Sequence, residues 1–121
     1  MLEGALDLWT TLQGESLAAG YKSALIEAAA RAVSEMHRQG VYHRDLNLKN
    51  ILIRSSGDGV KAYVIDLDKA VLFPGAVPPR KARANLLRLH RSVCKLDPQR
   101  LRLSAVDWES FLRRYESAPP V

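Results

Sequence analysis

Two short runs hold the residues of this chain that could do chemistry. The first is His43-Arg44-Asp45-Leu46-Asn47-Leu48-Lys49-Asn50, and the second is Val64-Ile65-Asp66-Leu67-Asp68-Lys69-Ala70. Their groups meet the demands of phosphoryl transfer. An acceptor hydroxyl needs a carboxylate to orient it and take its proton, and Asp45 is of that type. Nucleotide phosphates need a divalent cation, and hard cations bind oxygen ligands. Asn50 and Asp66 offer such oxygens from either side of an intervening segment that can bring them together. Asp68 is either a second carboxylate at the metal or a turn residue. Lys49 could set a charge beside the transferred group or point into solvent, as most lysines do. A lone Asp or His in a loop is usually structural, so the weight rests on the spacing of Asp45, Asn50 and Asp66 as a set.

The elements around these runs follow from patterning. Upstream, Leu25, Ala29, Ala32 and Met36 recur at helical spacing through an alanine-rich segment. Ser23 is the expected N-cap, His37 and Arg38 suit the negative end of the dipole, and Gly40 is the expected stop. Between the two runs, Ile51-Leu52-Ile53 and Val60 to Ile65 read as strands. Ser55-Ser56-Gly57-Asp58-Gly59 separates them as a turn, which gives a β-hairpin. Residues 71–79, with Pro74, Gly75, Pro78 and Pro79, read as a loop. Ala82, Leu86, Leu89, Val93 and Leu96 then stripe a second long helix that Pro98 ends. In the last helix Ser104 and Asp107 form a capping box, Leu103 staples onto Trp108, and Trp108, Phe111, Leu112 and Tyr115 share one apolar face. Those aromatics are expected in the core, and the tail from Ala118 to Val121 is expected to fray. Residues 1–20 open on Asp7-Leu8-Trp9 and a short apolar stretch punctuated by Gly14 and Gly20.

With these elements placed, the chain resembles the protein-kinase fold. The catalytic loop of that fold reads H-R-D-L-x-x-x-N, and its metal-binding Asp follows the next hairpin; His43 to Asn50 matches at every fixed position. The resemblance implies Asp45 as catalytic base, Asn50 as metal ligand and Asp66 as principal Mg²⁺ ligand for ATP. It makes His43 and Arg44 braces of the loop. Two departures stand out. Asp66-Leu67-Asp68 replaces D-F-G, and Asn47 stands where serine/threonine kinases place a lysine, a charge that Lys49 could supply instead. The runs I-D-L-D-K-A and H-R-D-L-N, the basic helix from Arg80 to Lys95 and the closing Leu-Ser-x-x-Asp helix are similar to the bacterial lipopolysaccharide kinases, which phosphorylate 3-deoxy-D-manno-octulosonic acid (Kdo) or heptose of the inner core.

This resemblance spans nearly the whole chain but only the C-terminal lobe of the fold. The expected class is therefore α+β: one mainly helical lobe over 1–121, a hinge-like start at 1–20, and the catalytic loop and metal-binding hairpin at 41–70. No glycine-rich loop or strand lysine with a glutamate partner is present, so half of the ATP pocket is expected to lie upstream. Loss of that lobe would expose apolar surface at the cleft and favour association.

Bulk properties agree with a globular chain of 121 residues, 47% apolar, with no apolar run near the ~20 residues of a membrane span. One cysteine, Cys94, excludes an internal disulfide and reads as a small buried residue on a helix. No secretory signal is evident, which points to the cytoplasm, with a peripheral place on the inner membrane if the acceptor is lipid-linked. The net charge of +5 collects after residue 79, in Arg80, Lys81, Arg83, Arg88, Arg91 and Lys95. That face either meets an anionic sugar, lipid or membrane surface or is simply solvated. Without interleaved aromatics it is a poor nucleic-acid site. His90 has no ligand partner at useful spacing. Two other functions stay open at this point: a kinase acting on a protein or another small molecule, and a pseudokinase-like binding module.

Overall fold

The computed structural model of the chain describes residues 5–14, 19–57 and 59–119. Ten short elements follow one another as strand β1 (Leu6–Asp7), helix α1 (Leu8–Leu12), helix α2 (Ala19–Arg38), strand β2 (Val41–Tyr42), a 3-10 turn (Leu48–Asn50), strands β3 (Ile51–Ser56), β4 (Gly59–Val64) and β5 (Val71–Leu72), and helices α3 (Pro79–Leu96) and α4 (Ala105–Ser117). The class is α+β, as the resemblance implies. The hairpin is antiparallel, with Ile51 opposite Val64 and Ser56 opposite Gly59. Its turn is tighter than the sequence suggests, because Ser55, Ser56 and Gly59 are all paired.

The core lies beneath the hairpin. Leu25, Ile26, Ala29, Ala30 and Val33 of α2 meet Leu12, Leu46, Leu48, Ile51 and Leu89, all buried. Each large side chain removed from water there is worth about 1.5–3 kcal/mol. Helix α4 closes the far side with Phe111 in the core and Trp108 stacked on it at 5.0 Å. Its start is capped as expected: Ser104 Oγ accepts from Asp107 N at 3.1 Å, and Asp107 Oδ2 accepts from Ser104 N at 2.9 Å. Lys22 joins the same carboxylate at 2.6 Å and so fastens α2 to α4. Among the described residues no helix is long and apolar enough to cross a membrane.

Several expectations are corrected here. Helix α2 starts at Ala19, so Ser23 and Gly20 lie inside it. Ser23 is no N-cap; its hydroxyl accepts from Arg114 at 3.0 Å instead. The segment 71–79 is not all loop, since β5 pairs antiparallel with β2, Val41 opposite Leu72. A two-residue strand leaves no periodic signal, and only its distant partner defines it. The hinge-like start likewise supplies a strand, because β1 adds to the open edge of β3. Asp7 then caps α1, accepting from Thr10 N at 2.8 Å. The tail does not fray at its start: Ala118 is buried, and Arg38 donates to the carbonyls of Ala118 and Pro119. Residues 120 and 121 lie outside the described residues. Cys94 is half-buried and receives Arg100 Nη2 at 3.1 Å, while His90 lies against Trp108 with ring centres 4.8 Å apart.

Gly40 governs the exit from α2. Its φ of +83° is open to glycine, and a Cβ there would run into the carbonyl oxygens of Phe73 and Gly75. Its own carbonyl accepts from Phe73 N at 2.8 Å, which delivers β5 to β2. Gly40→Ala is expected to cost at least about 2 kcal/mol of stability, read as a lowered denaturation midpoint in urea.

Candidate active site

Strand β2 ends at Tyr42, and the next residue, His43, is held from every side. Asn85, fully buried on α3, donates from Nδ2 to the His43 carbonyl at 2.7 Å and accepts from the His43 N–H at Oδ1, 3.1 Å away. The imidazole then bridges two segments. Its Nε2 meets the Ile65 carbonyl at 2.8 Å, and its Nδ1 meets the Asp45 N–H at 3.0 Å. A carbonyl accepts only and an N–H donates only, so the ring is neutral with its proton on Nε2. The 43–50 loop is thereby tied to the end of the hairpin.

Ile65 is pinned at both ends, since its N–H donates to the Asn50 carbonyl at 2.8 Å. The chain turns sharply there, and Asp66 adopts a left-handed φ of +65°. Aspartate accepts that conformation at modest cost, whereas a bulky residue would resist it. The turn brings the Asp66 carboxylate to Asn50, whose Nδ2 lies 3.5 Å from Asp66 Oδ2, at the limit of a hydrogen bond. Asn50 itself is buried at the end of the 3-10 turn. Asn47 starts that turn, accepting from Lys49 N at 2.8 Å and donating to the Asp45 carbonyl at 3.0 Å. Leu48 N–H is secured by Ser92 Oγ on α3 at 3.1 Å.

One open cleft of about 230 Å³ collects Asp45, Asn50, Asp66 and Asp68 with His43 and Arg44. Lys69 lines it too, whereas exposed Lys49 does not. Asp45, Asp66 and Asp68 are solvent-facing, and Asn50 and His43 are buried beneath them. The side chains include groups that suit a hard divalent cation: the carboxylates of Asp45, Asp66 and Asp68 and the amide oxygen of Asn50, whose Nδ2 faces Asp66. Among the described residues no three His, Cys, Asp or Glu side chains are gathered closely enough to form a metal cluster by themselves. An ion here would draw on Asn50 and on oxygens of its other ligands, as magnesium on phosphate does. A larger cavity of about 580 Å³ between α2, α3 and α4 contains none of the cleft's carboxylates.

Behind the cleft runs a buried chain of hydrogen bonds that the sequence reading left out. Asn85 Oδ1 also accepts from His37 Nε2 at 3.0 Å, and His37 Nδ1 lies 2.6 Å from the Tyr115 hydroxyl. With its Nε2 proton facing an acceptor, neutral His37 accepts a hydrogen bond at Nδ1 from the Tyr115 hydroxyl. Helices α2, α3 and α4 thus converge on His43. The available signal was Asn85, a polar side chain between Ala82 and Leu89 on an otherwise apolar helix face.

The comparisons with known proteins bear on this arrangement. A family model described as the lipopolysaccharide kinase (Kdo/WaaP) family matches residues 1–115. The chain belongs to that family. It is 40% identical over 94 residues to a 3-deoxy-D-manno-octulosonic acid kinase of Xanthomonas campestris pv. campestris, covering 76% of this chain and 35% of the relative. A kinase of the same description from Pasteurella multocida is 36% identical over 86 residues, 70% of this chain and 35% of its own. Among solved structures, WaaP in complex with acyl carrier protein superposes with a TM-score of 0.79 at 32% identity, over 98% of this chain and 50% of that one. The chain therefore spans about a third of the length of these curated relatives. The kinase-like fold read from the sequence stands on the same match.

Two outcomes follow from the buried relay. Replacing Asn85 by leucine strands both backbone groups of His43 and the His37 N–H, so a stability loss of about 2–4 kcal/mol is expected in chemical denaturation. The second concerns pH. Burial holds the His37 imidazole below its ordinary value of 6.5, against a smaller opposing pull from its hydrogen bond to Asn85. The unfolded chain therefore takes up a proton near pH 6.5 that the folded chain refuses. Stability from this group is complete above that pH and is lost as pH falls toward the lowered folded value. The melting temperature of the native chain should thus drop more steeply from pH 7.5 to 5.5 than that of His37→Gln.

Proposed function

We propose that the protein carrying this chain is an ATP-dependent kinase acting on a hydroxyl of a lipopolysaccharide inner-core sugar, Kdo among the candidates. In this reading the chain supplies the C-terminal, catalytic-loop lobe. The observation that carries it is the single cleft in which Asp45, Asn50 and Asp66 meet over a neutral His43 bridge. The family membership and the names of the relatives support the acceptor class.

Asp45 serves as the base that orients the sugar hydroxyl and receives its proton as the new oxygen–phosphorus bond forms. The bond to the leaving ADP oxygen breaks in line with that attack. Asp45 is held for this task through its N–H, which His43 Nδ1 accepts, while its carboxylate stays free in the cleft. Asn50, Asp66 and Asp68 would hold Mg²⁺, which when bound neutralises charge developing on the phosphates. Asn50 is locked by the 3-10 turn and Asp66 by the pinned Ile65, so both are positioned before substrate arrives. Lys69 lines the same cleft and brings a positive charge toward the transferred group, a part for which Lys49, outside the lining, is less well placed. His43 and Arg44 brace the loop. A lipid-linked acceptor would set the work at the cytoplasmic face of the inner membrane, with the chain peripheral to it.

Asp45→Asn and Asp66→Asn, each made in the protein that carries this chain, should lower phosphate transfer from ATP to a Kdo-containing acceptor by roughly a thousandfold or more. Radiolabelled transfer measures it. Turnover by Asp45→Asn within tenfold of the native protein would remove Asp45 as the base.

A further inference from the structure

Next to the catalytic cleft lies a second cavity of about 380 Å³, lined by Tyr42, Arg44, Val71, Phe73, Lys81 and Arg88. Three separate pieces of the fold build it: the β2–β5 ribbon, the loop that carries Asp45, and one face of α3. Lys81 and Arg88 stand two helical turns apart on that face, so both reach the same space. Arg44 is shared, since it lines both this cavity and the cleft of Asp45 and Asp66. The two are therefore contiguous across one guanidinium.

Its lining is chemically one-sided. Three of the six residues are cations, and no carboxylate is among them. Among the described residues, none of the three takes part in an ion pair; the salt bridges there belong to Lys22, Arg31 and Arg114. Cations held close together without counter-charge repel one another and attract an oxyanion. Two aromatic rings, Tyr42 and Phe73, complete the wall and offer flat apolar faces of the kind a sugar ring packs against. Other basic residues of α3 differ in this respect: Arg91 is exposed and lines neither cavity.

We propose that this cavity is the acceptor's anion subsite: Arg44, Lys81 and Arg88 grip an oxyanion of the sugar substrate while Tyr42 and Phe73 pack on its ring, which sets the reacting hydroxyl beside Asp45. The inference rests on the kinase reading above. An octulosonic acid, named in the relatives, carries a carboxylate ionised at neutral pH. A phosphate ester on the acceptor is the other source of the same chemistry. Arg88 can meet either one through two N–H donors, and Lys81 adds a point charge.

Binding tests the subsite without requiring turnover. The chain is titrated with the sodium salt of free octulosonic acid and followed by amide NMR shifts of β2, β5 and α3. The same is done with its neutral C1-alcohol analogue and with a sugar phosphate that has no carboxylate. Lys81→Gln and Arg88→Gln, both exposed and harmless to the core, should each weaken binding of the relevant anion about tenfold. Arg91→Gln should leave it within twofold. Sensitivity confined to the acid assigns the carboxylate, and sensitivity confined to the ester assigns the phosphate; both support the subsite. Equal losses in all three variants would reduce the effect to diffuse charge and overturn it, as would binding that ignores Lys81 and Arg88. If the native protein transfers phosphate to the acid while these variants bind it normally, the subsite alone falls. If it binds these anions as described but transfers phosphate to no inner-core sugar, Kdo or heptose, the kinase reading falls and the anion site stands.

Discussion

The backbone of His43 is the point on which the rest of the structure depends. A loop that presents side chains to solvent in fixed places must be exposed yet must not move, and exposed loops ordinarily have few contacts to hold them. This chain resolves the conflict by burying one peptide unit of the loop and satisfying it with a side chain from a distant helix. Asn85 supplies a donor to the carbonyl and an acceptor to the N–H, so the pairing is specific in direction as well as place. An apolar residue would pack in the same space but would leave both backbone groups unpaired, at a cost well above one ordinary hydrogen bond. From that fixed peptide the imidazole reaches forward to Asp45 and across to Ile65, and the geometry of the carboxylates follows.

Strain and burial divide the labour at the cleft. Asp66 sits in a left-handed conformation that costs free energy, and the two hydrogen bonds of Ile65 immediately before it are what hold the turn. Asn50 is buried beneath the cleft, while the Asp45 and Asp68 side chains face solvent. The arrangement keeps charge at the surface and puts rigidity beneath it. That ordering suits chemistry in which most of the rate comes from placement of groups.

Much of this was legible in the sequence, and the parts that were not share a cause. The hairpin, the stripe of α3 and the capping box of Ser104 all rest on local patterns, and local patterns survive into the fold. The spacing of Asp45, Asn50 and Asp66 could be read because a hairpin between them leaves few ways for the chain to run. What could not be read depends on residues far apart in the chain. Strands β2 and β5 have two residues each and exist only as a pair. Ser23 has the right type for a cap, but the packing of α2 on α4 extends the helix past it, so tertiary contact overrides a local preference. His37, Asn85 and Tyr115 each look unremarkable on their own helix and acquire a role only when three helices bring them together.

The basic residues of α3 show why a charge run should be resolved residue by residue. As a stretch of sequence they are one cationic face, and a cationic face is commonly just solvated. In the fold they separate. Arg83 lies along the large cavity between the helices, Arg91 faces open solvent, and Lys81 and Arg88 turn toward Arg44 and the aromatic pair. Among the described residues only the last group combines a concave surface, a shared residue with the carboxylate cleft and no ion-pair partner, the three features on which the proposed anion subsite rests. The same Asn85 that fixes His43 lies on this helix between Lys81 and Arg88. One helix therefore holds the His43 backbone and carries two of the three cations of that pocket, so the cleft and the pocket are placed by the same packing.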